Sequence, residues 1–151
     1  MPPTRWRTPW LGASRRSRAS SSIEASDRAS FFEEWDEPLI AAIGWVSELI
    51  EIAGGDDVCC HLRAGAAAKD RIVTPDAIVA TKPDVILASW CGKKVVPDRI
   101  RSRPGWDQIP AVAANRIFEI KSPLILQPGP AALTDGLDAI LAALGHPQLP
   151  R

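Results

Sequence analysis

The segment from Asp84 to Trp90 constrains the fold of this chain more than any other. Its centre, Val85-Ile-Leu-Ala88, is continuously apolar, which is typical of a parallel strand buried on both faces. The run ends in Ser89-Trp-Cys-Gly-Lys-Lys94, which brings together an aromatic ring, a thiol and two lysines. Ligands of α/β domains bind where parallel strands end. The segment therefore predicts a binding edge at the end of a buried strand.

Strand and helix patterns alternate along the rest of the chain. Further strands are predicted at residues 31–35 and 116–120, and 58–62 is either a short strand or a loop. Helices are predicted at residues 36–53, with Asp36 as the capping residue, and at 75–81, 97–103 and 130–144. This order predicts an α/β fold, a three-layer α/β/α sandwich around a mainly parallel sheet of four to five strands.

Composition divides the chain into a domain and two tails. Residues 1–30 are rich in Pro, Ser and Arg without an apolar period, which predicts a disordered tail or a segment foreign to the domain. A targeting or nucleic-acid-binding arm is the alternative for this tail. Residues 31–145 form the predicted domain, and the 46% hydrophobic content is enough for a core of that size. Residues 146–151 form a second short tail.

The charge balance argues against nucleic acid and membrane partners. Eighteen basic residues match eighteen acidic ones, so the chain has no net attraction to a polyanion or to a lipid surface. No apolar run approaches the roughly 18–20 residues of a membrane span, and the start lacks the apolar core of a secretory signal. We therefore expect a cytoplasmic chain as given, or a periplasmic one if the true N-terminus is missing.

The three cysteines predict neither a disulfide framework nor a metal site. Three is an odd number, and Cys59 and Cys60 are adjacent, although a bridge from either one to Cys91 stays open. Cys59-Cys60-His61 places potential ligands in sequence, but neighbouring side chains of a strand point to opposite faces. They cannot easily converge on one tetrahedral ion. We expect no bound metal and no cofactor.

Several segments together resemble the C-terminal lobe of a periplasmic-type solute-binding protein. The resemblance is to the class with two lobes joined by a rigid helix, which serves importers of cobalamin and ferric siderophores. It is carried by Phe32–Pro38, Trp45–Gly55, Thr74–Asp76, Lys82–Leu87 and the stretch from Ala111 to Ile117. Ser89–Lys94 and Ile125–Leu133 are most similar to members that bind cobalamin. Family members have a whole first lobe before this region, and residues 1–30 resemble neither that lobe nor the linking helix.

The resemblance implies a non-enzymatic binding lobe rather than a catalyst. Its implied ligand is a corrinoid such as cobalamin or another metal chelate, and its implied partner is an ABC permease. A ligand-inactive remnant, or a lobe that associates with another chain, is the alternative. A nucleotide-binding enzyme is disfavoured because no glycine-rich phosphate motif follows a strand.

The candidate ligand-binding residues lie where the predicted strands end. Aromatic rings there are expected to stack on a flat ligand, and polar groups to meet its amide or phosphate oxygens. The set comprises Glu34, Trp35, Trp90, Lys93, Lys121, Ser122 and Gln127. The alternatives are structural: Trp90 packed inside the core, the glutamates exposed on the surface, and Gln127 in a stiff strand-to-helix turn.

Asp76 is the candidate for docking to the permease. In the resembled family an acidic residue on each lobe docks to permease arginines, and Asp76 occupies the matching place after Thr74 and Pro75. The structural alternative is that an acid in the first turn favours the helix dipole, by about 0.3–1 kcal/mol.

Overall fold

The computed structural model describes residues 28–146, so both predicted tails lie largely outside the described residues. The strands are β1 (Arg28–Asp36), β2 (Leu39–Ala41), β3 (Gly55–Asp57), β4 (Val85–Ala88) and β5 (Ile117–Glu119). The helices are α1 (Gly44–Ile52), α2 (Pro75–Thr81), α3 (Pro97–Arg101), α4 (Pro110–Ala113), α5 (Ser122–Ile125) and α6 (Leu137–Leu144). Short 3-10 turns lie at Cys60–Leu62, Ala68–Arg71 and Trp106–Gln108, and a π-helical turn, Ala132–Gly136, leads into α6.

Strand β1 is the centre of the sheet. It pairs with β4 in parallel on one side, and β5 extends the sheet in parallel beyond β4. On its other side β1 pairs in parallel with β3 along its first residues and antiparallel with β2 along its last ones. The α/β fold and the mainly parallel sheet are therefore confirmed, and β1, β4 and β5 all end at the same edge.

Successive side chains of the central strands enter two separate cores. Phe32 and Leu87 pack into one apolar cluster with α1 and α6, while Phe31 and Ile86 pack into another on the opposite face, with α2 and α3. Each large side chain stabilises its cluster by about 1.5–3 kcal/mol. A helical layer on either face makes the three-layer arrangement.

The predicted helix over residues 36–53 is wrong over residues 36–43. Leu39–Ala41 is a strand whose three residues are buried against β1, and the helix begins only at Gly44. Asp36 is therefore the last residue of β1 and not a helix cap, and Ile43 precedes the helix in an extended conformation. The short apolar run fits helical and strand spacing equally well, and pairing with β1 decides between them.

The other predicted elements differ mainly at their ends. The predicted helix over 75–81 is confirmed, with the Thr74 hydroxyl accepting a hydrogen bond from the Ala77 amide at 3.3 Å. The predicted strand or loop at 58–62 is a 3-10 turn, and the strand lies earlier, at Gly55–Asp57. Helices α4 and α5 are each a single turn and were not predicted. No helix within residues 28–146 is long and apolar enough to span a membrane.

Candidate functional site

The ends of β1, β4 and β5 bring five side chains together at one edge of the sheet. We call them the carboxyl-edge cluster: Trp35, Asp36, Trp90, Lys93 and Ser122. The Lys93 ammonium lies 2.7 Å from Asp36 Oδ1 and 4.4 Å from the centre of the Trp35 ring. A lysine from the loop after β4 is thus fixed over the end of β1.

A second set of contacts joins the loops after β4 and β5. The Gly92 amide donates to Ser122 Oγ at 2.9 Å, and Ser89 Oγ lies 3.4 Å from the same oxygen. Gly92 has φ +82°, a conformation that residues with a Cβ rarely adopt, and this turns its amide toward Ser122. Lys121 pairs with the Glu119 carboxylate at 3.0 Å. Ser122 therefore fixes the glycine turn beside Lys93.

Trp90 is fully buried beneath this edge. Its indole N–H donates to Glu33 Oε1 at 2.9 Å, and its ring lies 5.1 Å from the Lys93 ammonium and 5.5 Å from the Arg99 guanidinium. In this conformation the ring supports the two cations and offers no face to solvent. The structure thus corresponds to the buried alternative for Trp90, while Trp35 is partly exposed.

The sequence did not predict the pair formed by Glu33 and Arg103. The Glu33 side chain is fully buried, and Arg103 donates to both of its oxygens at 2.7 and 2.8 Å. Arg103 also lies 4.5 Å from the Trp106 ring. A carboxylate directly after Phe31-Phe32 was the available signal, because an acid in a buried strand requires a cation.

Two cations share the carboxylate of Asp36. Arg99 lies 3.0 Å from Oδ2, opposite Lys93 on Oδ1, and the Asp36 side chain is only 4% exposed. Burial raises the pKa of Asp36, but the bond from Lys93 and the charges of Lys93 and Arg99 outweigh it, so the pKa lies below its usual value of 3.8. Arg99 and Arg103 are four residues apart near α3. Residues at this spacing lie on the same side of a helix, so the sequence could have indicated that the two cations lie close together.

Glu34 points away from the carboxyl-edge cluster. Its oxygens accept hydrogen bonds from the buried Arg71 at 2.5 and 3.2 Å and from the Ile43 amide at 3.0 Å. Arg71 also donates to the Ala41 carbonyl at 2.7 Å. Glu34 therefore holds β1, β2 and the start of α1 together, and its predicted contact with a ligand stays a prediction.

The two remaining predicted residues are exposed and lie apart from the contacts described above. Gln127 lies in the turn after α5, and Asp76 lies in the first turn of α2. Because α2 leads into the amino end of the parallel strand β4, its own first turn is on the carboxyl-edge side of the sheet. Their predicted roles, ligand contact and permease docking, stay predictions.

The cysteines are not arranged as a reactive centre. All three are free thiols, and Cys59 is buried. Burial, with the nearby charge of Asp57, raises the pKa of the Cys59 thiol to about 12, so it is protonated at neutral pH. Among residues 28–146 no group of three or more His, Cys, Asp and Glu side chains is placed to hold a metal ion. The carboxyl edge carries cations, an aromatic ring and hydroxyl groups, and these groups can bind a ligand by hydrogen bonds and stacking.

Solved structures that are similar to this chain include periplasmic binding proteins. A possible iron-binding protein from Staphylococcus epidermidis matches with TM-score 0.63 and 19% identity, over 79% of this chain and 45% of that one. The ABC-type Fe3+-hydroxamate transport protein of Saccharomonospora viridis matches with 0.60 and 23%, over 78% and 41%. The periplasmic vitamin B12-binding protein of Vibrio cholerae matches with 0.56 and 19%, over 80% and 46%. The chain thus spans less than half the length of each.

The family assignment rests on the amino-acid sequence. No curated protein matches the chain. The family model described as periplasmic binding protein matches residues 13–124, which is most of the sequence. That match begins before the domain predicted from residue 31 and ends before residue 145. The chain therefore belongs to the periplasmic binding protein family.

Proposed function

We propose that this chain is a solute-binding lobe of an ABC import system and that its ligand is a corrinoid such as cobalamin. The ligand would be held against the carboxyl edge of the sheet, with Trp35 stacking on the flat ring. Lys93, Lys121, Ser122 and Gln127 would meet its amide and phosphate oxygens.

One observation carries this proposal: the loops after three parallel strands are tied into a single edge. Asp36 at the end of β1 binds Lys93 from the loop after β4, and Ser122 after β5 binds Gly92 of that same loop. The family and the ligands named for the solved relatives, Fe3+-hydroxamate and vitamin B12, support a metal chelate as the ligand class.

The implied partner is an ABC permease, with Asp76 as the docking residue. Its carboxylate is exposed on the first turn of α2, where a permease arginine would reach it. The location in the cell is part of the same proposal. A lobe of this kind would work in the periplasm if its chain carries an export signal. In the cytoplasm it would lack its permease.

Titration with cyanocobalamin tests the binding proposal. We expect heat in calorimetry and quenching of tryptophan fluorescence, and about tenfold weaker binding for Trp35→Ala because a stacked ring is lost. Ile52→Ala is the matched control, since it removes an exposed apolar side chain from the last turn of α1. If neither heat nor quenching is observed at high micromolar cyanocobalamin, the corrinoid proposal fails. The family membership would stay intact.

A ligand-inactive lobe that associates with another chain is the second candidate. The chain spans under half of each solved relative, and in this candidate a second chain supplies the other side of the binding cleft. Gel filtration over a range of concentrations separates the two candidates, since association predicts earlier elution as concentration rises. A strict monomer that binds cyanocobalamin would contradict this second candidate.

A further inference from the structure

Positive charge exceeds negative charge at the outer layer of the carboxyl edge. Arg103 is matched one to one by Glu33 in the buried layer below, where two hydrogen bonds join them. In the outer layer a single carboxylate, Asp36, serves both Lys93 and Arg99. One unit of positive charge is therefore left over at this position.

The two outer cations are exposed and retain free hydrogen-bonding capacity. The Lys93 side chain is 42% exposed and that of Arg99 is 54% exposed, although both contact the 4% exposed Asp36. A lysine ammonium has three donors and a guanidinium has five. One carboxylate cannot occupy all of them, so each cation keeps N–H groups that can reach a ligand.

Both cations are already held in position. Lys93 lies over Trp35 at 4.4 Å, and it shares the Trp90 ring with Arg99, at 5.1 and 5.5 Å. Side chains fixed in this way lose less rotamer freedom when a ligand binds than free surface lysines do. The pair is thus preorganised, unlike a chance patch of surface charge.

Neighbouring groups do not cancel the excess. On the β5 side Glu119 is paired with Lys121 at 3.0 Å, and Lys94 is close enough to help lower the pKa of Glu119. Glu37 follows Asp36 and is exposed. Counting it, four cations still face three acids among these described residues.

We propose that Lys93 and Arg99 form an anion-binding pair, so that the group of the ligand that contacts this edge is a phosphate or a carboxylate. Charge-assisted hydrogen bonds to such oxygens are about twice as strong as neutral ones. This inference deepens the proposed binding function and rests on it. It selects ligands with an anionic oxygen group, such as a nucleotide-bearing corrinoid or a carboxylate iron chelate, over neutral analogues.

Two corrinoids that share a ring test the inference without any mutation. Cyanocobalamin carries a phosphodiester and dicyanocobinamide does not. We expect the intact chain to bind cyanocobalamin about tenfold more tightly, and added sodium chloride to remove most of that difference. Ferric citrate in a parallel titration distinguishes a carboxylate source from a phosphate source.

Charge-removing variants locate the effect. Lys93→Gln and Arg99→Gln are each expected to weaken cyanocobalamin binding by about threefold to tenfold, and to weaken dicyanocobinamide binding by a clearly smaller factor. Lys82→Gln is the control, because it removes one positive charge from the residue directly after α2, three positions before β4 and at the opposite edge of the sheet. Circular dichroism checks that each variant is folded.

The outcomes separate this inference from the proposed function. Equal binding of both corrinoids, unchanged in the variants, would overturn the anion-binding pair and leave corrinoid binding standing. If neither corrinoid binds, the corrinoid proposal fails. A titration with pyrophosphate then tests the anion-binding pair by itself. A shift of the Arg99 and Lys93 side-chain NMR signals with pyrophosphate, lost in Arg99→Gln, would support the pair, and no shift would refute it.

Discussion

The Glu33 carboxylate shows at the scale of one residue how this fold tolerates a buried charge. Two guanidinium N–H groups from Arg103 and the indole N–H of Trp90 donate to it, so its charge is fully compensated. Removing one partner of such a pair is costly because the other charge stays buried. The sequence predicted that the neighbouring Glu34 contacts a ligand, and only the fold shows that Glu33 lies buried beneath the edge.

Arg103→Ala is therefore expected to destabilise the chain by about 3–5 kcal/mol. The control is Arg101→Ala, two residues away, whose pair with Asp98 is exposed and worth less than about 1 kcal/mol. Urea unfolding followed by circular dichroism measures both variants. Equal losses for the two variants would show that Glu33 is not held as described.

At the scale of elements, short segments decide how the edge is built. Helix α5 is one turn long, yet it places Ser122 against Gly92, and β2 is three residues long, yet it replaces the first turns of a predicted helix. Such short pieces have little periodicity to detect. Stronger local signals were dependable: the continuous apolar run of β4 and the Thr74-capped α2 are found where the sequence predicts them.

Contact between α5 and the π-helical turn gives a prediction at this scale. A Cβ at Gly136 would lie 2.5 Å from the Leu124 carbonyl oxygen, so Gly136→Ala must push α5 away. We expect a loss of about 1–3 kcal/mol, the usual range for overpacking. Gly129→Ala is the matched control, because a Cβ there meets nothing within 4 Å. Thermal unfolding of both variants compares them, and an unchanged melting temperature for Gly136→Ala would contradict the close packing.

At the scale of the whole molecule, two buried carboxylates give its stability opposite dependences on pH. The folded pKa of Asp36 is lowered, so its contribution is present above the usual value of 3.8 and is lost as pH falls below it. Burial raises the pKa of Asp57 in the folded chain above 3.8. Its ionisation therefore lowers the stability as pH rises from 3.8 toward that raised pKa.

Two variants separate these opposite contributions. Between pH 7 and pH 3, we expect Asp36→Asn to lose less unfolding free energy than the unsubstituted chain, and Asp57→Asn to lose more. The reason is that each substitution removes one of the two titrations. Urea unfolding at both pH values measures the difference. The same pH dependence in both variants would contradict the assigned pKa directions.

The sequence by itself determined the α/β class, the buried strand and the family resemblance, because continuous apolar runs and capped helices depend on local chemistry. Only the tertiary structure decided which charges meet. Asp36 pairs with Lys93, 57 positions away in sequence, and Glu33 pairs with Arg103, 70 positions away. Parallel strands bring such residues to one edge, and neither spacing nor composition records which side chains will then face each other.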